Sequence, residues 1–177
     1  LVFYAAATFE GSMMAIKTVN SISHYTDWTI AHVHAGSLGW VAMITIGSLY
    51  AMAPRALGRP AMHSHKGMEV HFWLHLSGTL VYVVSMWLAG VTEGMMWRAT
   101  SPDGSLTYSF IDSLIAIKPL YIFRWFGGVL IWLGMWVMAW NLWFTAADAR
   151  KHIIVPIPVP IPEPVSDQLP PPLPAVA

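Results

Sequence analysis

The sequence contains no cysteine. That excludes a disulfide scaffold, a zinc–cysteine centre and an iron–sulfur cluster. Charge is nearly as scarce. Asp, Glu, Lys and Arg make up 10% of the chain, against about 25% in an ordinary soluble domain. The charges balance at nine basic and nine acidic residues, so no basic field is available for nucleic acid. The opening Leu1-Val2-Phe3-Tyr4 has neither an initiator Met nor a basic, signal-like start. It reads as a processed piece or as part of something longer. Apolar residues fill the 177 positions instead: 56% are hydrophobic, among them 10 Trp and 11 Met. This is the composition of a membrane protein.

Three stretches carry no Asp, Glu, Lys or Arg: Trp28 to Ala53, Val70 to Thr92 and Trp125 to Ala147. Each exceeds the roughly 20 residues a helix needs to cross the hydrocarbon core. Lipid offers the backbone no hydrogen bonds, so the segments must be helical. Leu1 to Phe9 is too short to span; with Gly11 to Ile16 it reads as the end of a helix that begins upstream. The expected fold is all-α: three complete transmembrane helices plus the end of a fourth, within a larger bundle. Trp28, Trp73, Trp97, Trp125 and Trp143 lie toward span ends, as an interfacial belt requires; ordinary helix packing is the competing reading.

Loop charge sets the orientation. Arg55, Arg59 and Lys66 face Glu69 alone in the connection from Pro54 to Glu69, and Arg150 and Lys151 follow the last span. The positive-inside rule places that loop and the C-terminus in the cytoplasm. Lys17–Asp27 and Glu93–Lys118 then lie outside, with Pro102-Asp103-Gly104 marking a turn. Two regions follow. Residues 1–148 form the transmembrane region, and 149–177 form a Pro-rich cytoplasmic tail. Nine prolines from Pro156 to Ala177 exclude helix and strand and leave an extended, disordered segment.

The residues that carry chemistry are His32 and His34, four and six residues into the first span. Titratable groups at that depth are costly and face a cofactor, a cavity or a partner. Residues two apart on a helix point about 200° apart. The pair therefore cannot hold one metal ion together, but each can ligate a different metal on its own side. Two haems flanking one helix is such an arrangement, with imidazole as the usual axial ligand of a b-type haem. Ala35, Gly36 and Gly39 let something bulky approach. Core histidines bonded to neighbouring helices are the competing reading.

Longer blocks add specificity. Phe9-Glu10-Gly11, Met13 to Asn20, His24-Tyr25-Thr26-Asp27-Trp28-Thr29-Ile30 and His32-Val33-His34 resemble the catalytic subunit of the C-family haem–copper oxidases, the cbb3-type cytochrome c oxidases. The likeness continues through Trp40 to Tyr50, His71-Phe72-Trp73, Gly94 to Ala99 and Leu106 to Phe110, covering about residues 3 to 145. The chain thus resembles the C-terminal third of such a subunit.

The resemblance implies roles. His32 matches the proximal ligand of a high-spin haem b, where dioxygen is reduced, and His34 matches one axial ligand of a low-spin haem b. Glu10 matches a carboxylate near the proximal His, where it would strengthen the imidazole as a donor. His24 and Asp27 match residues near the haem propionates. Tyr4 falls where the family has a tyrosine near its proton-uptake route. The second low-spin ligand, the three copper-binding histidines and the redox tyrosine belong to helices upstream of this sequence. By that resemblance the whole enzyme is a respiratory-chain oxidase of the bacterial inner (cytoplasmic) membrane. It reduces dioxygen to water with electrons from membrane-anchored c-type cytochrome subunits and pumps protons. This chain alone, lacking the N-terminal part of the subunit, is expected to be inactive.

Several residues stay outside that match. His63 and His65 read as a solvated loop. His71 and His75 share a helix face and read as packing or propionate contacts before a metal pair. Arg124 reads as an interfacial anchor or a propionate partner, and Lys17 and Asp27 as partners of each other. The Met and Trp residues from Met135 to Trp143 cover every helix face and read as packing. Two other functions fit part of the pattern: a nitric oxide reductase-type subunit, and a non-catalytic haem-binding membrane protein.

Overall fold

The computed structural model describes residues 1–153, with side chains through Ala149; the Pro-rich tail lies outside the described residues. The regular elements of the described chain are all helices, and one isolated bridge pairs Thr100 with Leu106 in a connection. Helix α1 spans Val2–Met14, α2 spans Lys17–Ser23 and α3 spans Asp27–His34. A π-helical stretch, Ala35–Ala42, carries α3 directly into α4, Met43–Ala56. Helices α5, His65–Arg98, and α6, Phe110–Ile153, complete the bundle. Three continuous helices are long and apolar enough to cross a membrane: Asp27–Ala56, His65–Arg98 and Phe110–Ala149. The protein is a multi-pass membrane protein.

Local sequence explains the helix ends. Thr26 Oγ1 accepts from the Trp28 N–H at 3.3 Å and starts α3. Ser64 Oγ accepts from the Gly67 N–H at 3.0 Å and starts α5. Ser109 and Asp112 form a reciprocal box at the start of α6: the Asp112 carboxylate accepts from the Ser109 N–H at 2.8 Å, and the Ser109 hydroxyl accepts from the Asp112 N–H at 3.2 Å. Helix α4 stops where Gly58 takes a left-handed φ of 65°. The turn at Pro102-Asp103-Gly104 forms as its sequence requires. Gly104 has a φ of 83°, and Ser105 hydrogen bonds hold the exposed Asp103 carboxyl below its usual range.

The spans run longer than their charge-free cores. Helix α6 begins 15 residues before Trp125 and takes in Lys118, Pro119 and Arg124, which the charge count assigned to a loop. The capping box and the apolar run Leu114 to Ile117 extend it, and the three charged or helix-breaking residues cannot outweigh them. Glu93 likewise lies inside α5 and is buried. Lys17–Ser23, expected as connection, folds as the short helix α2.

Helix α5 is the centre of the bundle and packs on α3 and α6. Glycine sets the closeness. A Cβ on Gly78 would stand 2.8 Å from the Gly127 carbonyl oxygen, and a Cβ on Gly127 would stand 2.7 Å from the Tyr82 nitrogen. The α5–α6 crossing is therefore a backbone-to-backbone approach. A Cβ on Gly90 would collide with the Trp28 backbone, so α3 also lies at backbone distance from α5.

The 57–64 connection and the end of α6 lie together at one end of the bundle, and α2 and the end of α5 at the other. The 57–64 connection packs on the end of α6: Asn141 Oδ1 accepts from the Ser64 N–H at 2.9 Å and Asn141 Nδ2 donates to the Ser64 carbonyl at 2.8 Å. His63 is an exposed loop residue, as expected, but it is tied to the end of α6. Its backbone N–H donates to Thr145 Oγ1 at 2.9 Å and its ring nitrogen lies 2.9 Å from the Asp148 carboxylate. At the other end α2 sits against the end of α5, where the Arg98 guanidinium donates to Ser21 Oγ at 2.7 Å.

Candidate functional site

The helix that bears His32 and His34 is held from both sides, and the two imidazoles leave it in different directions. On one side stands α1. Glu10 is buried there, 7% exposed, in an otherwise apolar helix. Its Oε1 accepts from the Trp28 indole N–H at 2.7 Å and its Oε2 lies 3.3 Å from His32 Nδ1. Trp28 is thus turned into the bundle, unlike the well-exposed Trp73, Trp125 and Trp143. Gly11 faces the same imidazole: a Cβ there would stand 3.2 Å from His32 Cε1. With Nδ1 committed to the carboxylate, Nε2 is the nitrogen available to a metal.

His34 turns toward α5. Its Nδ1 donates to the Ile30 carbonyl, one turn back, at 2.8 Å, which again leaves Nε2 for a ligand. Its ring centroid lies 5.2 Å from that of Tyr82. Tyr82 in turn lines an open groove of about 570 Å³ between α5 and α6 with Tyr121, Arg124, Trp125, Gly128, Val129 and Trp132. The lining is aromatic and apolar with one guanidinium at its edge. A flat apolar macrocycle bearing carboxylates fits such a wall, and the free Nε2 atoms of His32 and His34 suit haem iron.

Asp27 and Arg124 meet at the mouth of this region. The Arg124 guanidinium donates to Asp27 Oδ1 at 3.4 Å and lies over the rings of Tyr82 and Tyr121, at 5.5 and 5.8 Å. Asp27 thus pairs with Arg124 across 97 residues, not with Lys17. Glu93 adds a second carboxylate, accepting from the Asp27 backbone N–H at 2.8 Å. His24 stands apart from this group. It is exposed and packs on the ring of Tyr25, 4.0 Å between centroids. Tyr25 itself takes a φ of 64° in the turn between α2 and α3.

Sequence reasoning placed Glu93 in a loop and missed its contact with Asp27. A lone carboxylate at the end of the charge-free run Val70 to Thr92 was the available signal. It also missed the two pins behind the helix that bears His32 and His34. Tyr50 hydroxyl meets His71 Nδ1 at 3.0 Å, and His75 Nε2 donates to the Leu38 carbonyl at 3.0 Å.

The Cytochrome C and Quinol oxidase polypeptide I family matches residues 1–130 of the chain. The Cbb3-type cytochrome c oxidase subunit CcoN1 of Stutzerimonas stutzeri is 55% identical over 150 residues, which is 85% of this chain and 32% of that protein. Cytochrome c oxidase subunit 1 of Rhodobacter capsulatus is 49% identical over 158 residues, 88% of this chain and 30% of that protein. A nitric oxide reductase polypeptide of Stutzerimonas stutzeri is 23% identical over 135 residues, 75% of this chain and 28% of that protein. The chain spans about a third of the length of the oxidase relatives it matches.

Proposed function

The chain belongs to the Cytochrome C and Quinol oxidase polypeptide I family, and on that premise we propose that it is the C-terminal region of the catalytic subunit of a cbb3-type terminal oxidase in a bacterial inner membrane. The observation that carries the reading is the two-sided presentation of His32 and His34. Each imidazole has Nδ1 engaged, by Glu10 and by the Ile30 carbonyl respectively, so each offers Nε2.

In this reading His32 would hold a high-spin haem b and His34 a low-spin haem b, each through Nε2. Bound haem iron supplies the one-electron and dioxygen chemistry that no side chain offers. The residues of this chain hold and tune. Glu10 accepts a hydrogen bond from the His32 Nδ1–H and so keeps Nε2 bare; the negative charge raises the basicity of the imidazole. Trp28 holds that carboxylate in place with its N–H. Tyr82, Trp125 and Trp132 would offer the low-spin group an apolar wall, and Arg124 would supply a cation for its carboxylates. Asp27 and Glu93 offset the Arg124 charge and keep its guanidinium at the groove mouth. The copper ion, the second low-spin ligand and the contacts to c-type cytochrome subunits belong to the rest of the complex.

The test is the full-length subunit assembled with its partner subunits. It should contain two b-type haems and one copper per catalytic subunit and consume oxygen with reduced cytochrome c. Non-haem iron in place of copper, with nitric oxide as the substrate reduced, would establish the reductase reading. The identity of 23% against 55% favours the oxidase.

A further inference from the structure

A run of polar residues lies on one face of α5 that the proposed ligand set does not use. His71, His75 and Thr79 follow one another at four-residue spacing and are 3%, 0% and 0% exposed. His71 Nε2, His75 Nδ1 and Thr79 Oγ1 are buried with no hydrogen-bond partner. Each such atom gives up its hydrogen bonds to water and gains none in return. Leucine at these positions would pack without that cost, so simple filling does not account for the choice of residues.

Each histidine does make one bond, and both bonds reach the helix that bears His32 and His34. His75 bonds the Leu38 carbonyl in the middle of the π stretch; His71 bonds Tyr50, beyond it on α4. The two pins therefore hold the π stretch Ala35–Ala42 and the α4 segment after it against the same face of α5. A π turn closes i→i+5 bonds and takes in one residue more than an α turn. It is intrinsically less favourable and reverts unless something holds it. A slip of one residue rotates the chain beyond it by about 100° relative to the chain before it. That slip would turn Tyr50 away from His71, or turn His34 away from Tyr82. His34 is the residue immediately before the stretch, and Tyr82 lies on α5 two turns after His75, on the same face.

We propose that His75 and His71 form a register clamp on α5 that holds Ala35–Ala42 in its widened form and so fixes the direction in which His34 presents Nε2. They are positioning residues; neither touches the haem site. The inference rests on the reading of His34 as a low-spin haem ligand.

Chemistry selects the decisive variants. A carbonyl only accepts, so His75 must carry its proton on Nε2, and Nδ1 is the bare acceptor. Glutamine places an amide NH₂ near the position of Nε2, while asparagine reaches only to that of Nδ1. H75Q keeps the bond to the Leu38 carbonyl and H75N loses it. The experiment compares the two in the full-length oxidase complex by the electron paramagnetic resonance of the ferric low-spin haem and by its reduced α-band. H75Q should match the wild type in both. H75N should shift and broaden both signals, or lose the six-coordinate species, at unchanged high-spin haem content. Failure of H75N to assemble while H75Q assembles supports the clamp equally. Identical behaviour of the two variants, or wild-type spectra in H75N, overturns it. A wild-type complex without a low-spin signal that depends on His34 overturns the haem reading and the clamp together.

Discussion

In the proposed ligand set, replacing Glu10 by glutamine should uncouple His32 from haem iron, for a reason that can be counted in donors and acceptors. The carboxylate receives two donors: the Trp28 indole N–H at 2.7 Å and, in the ligand-competent tautomer, the His32 Nδ1–H across 3.3 Å. The amide of E10Q would have the same shape but only one acceptor oxygen. Trp28 is a donor only and cannot adapt. The amide oxygen therefore stays with Trp28 and the NH₂ meets His32. Imidazole relieves the donor–donor clash by moving its proton to Nε2, the atom that must be bare to bind iron. Holding His32 in the productive tautomer then forfeits a charge-assisted bond of about 1.5–3 kcal/mol. That is roughly a 10- to 150-fold loss in affinity at the high-spin site, at about 1.4 kcal/mol per decade. The assay is haem content per subunit in the purified complex, with the potential of the high-spin haem read by redox titration. E10Q should lose high-spin haem on dilution and raise the potential of what remains. Trp28→Phe provides the control. It removes the competing donor, so in E10Q/W28F the amide oxygen is free to face His32 and retention should recover in part. Wild-type retention and potential in E10Q, or a double variant worse than E10Q by the full cost of W28F, would refute the donor count.

Three further outcomes follow from the same geometry. His34→Ala in the full-length complex should remove the low-spin b signal and keep the high-spin one, and His32→Ala should do the reverse and abolish oxygen consumption; equal loss of both signals in a folded complex counts against separate ligation. Gly90→Ala should block the approach of α3 to α5, because its Cβ would meet the Trp28 backbone; the expected result is a large drop in assembled complex, and a normal yield would show that α3 can shift aside. Asn141→Leu removes the acceptor of the part-buried Ser64 N–H and one of the two donors to the Ser64 carbonyl, which keeps the Met68 N–H, so thermal unfolding should show a loss of about 1–3 kcal/mol; an unchanged melting temperature would mean the 57–64 connection does not contribute to the stability of the bundle.

Much of this protein is decided by sequence pattern alone. Three charge-free runs in a chain with 10% charged residues must be membrane helices, because hydrocarbon leaves the backbone no other partner. The opposed directions of His32 and His34 follow from the helical repeat of about 3.6 residues per turn. The Ser109–Asp112 box and Gly104 could also be read directly, since caps and left-handed turns depend on residues close in sequence.

Only the tertiary structure settled which distant residues meet. Asp27 and Arg124 are 97 positions apart, Trp28 and Glu10 18, and His75 and Leu38 37. Nothing local distinguishes Arg124 at a groove mouth from an arginine at a lipid interface, or Trp28 donating to a carboxylate from a Trp in the interfacial belt. The helix lengths were misjudged for a related reason. Charge marks where a span meets water, yet Glu93, Lys118 and Arg124 remain helical, and Glu93 and Arg124 find partners on neighbouring helices. The π stretch is the clearest case. Ala35–Ala42 has no sequence mark of a widened turn, because the bonds that hold it come from His75 and from the Tyr50–His71 pair, and α5 reaches them only after the bundle has closed.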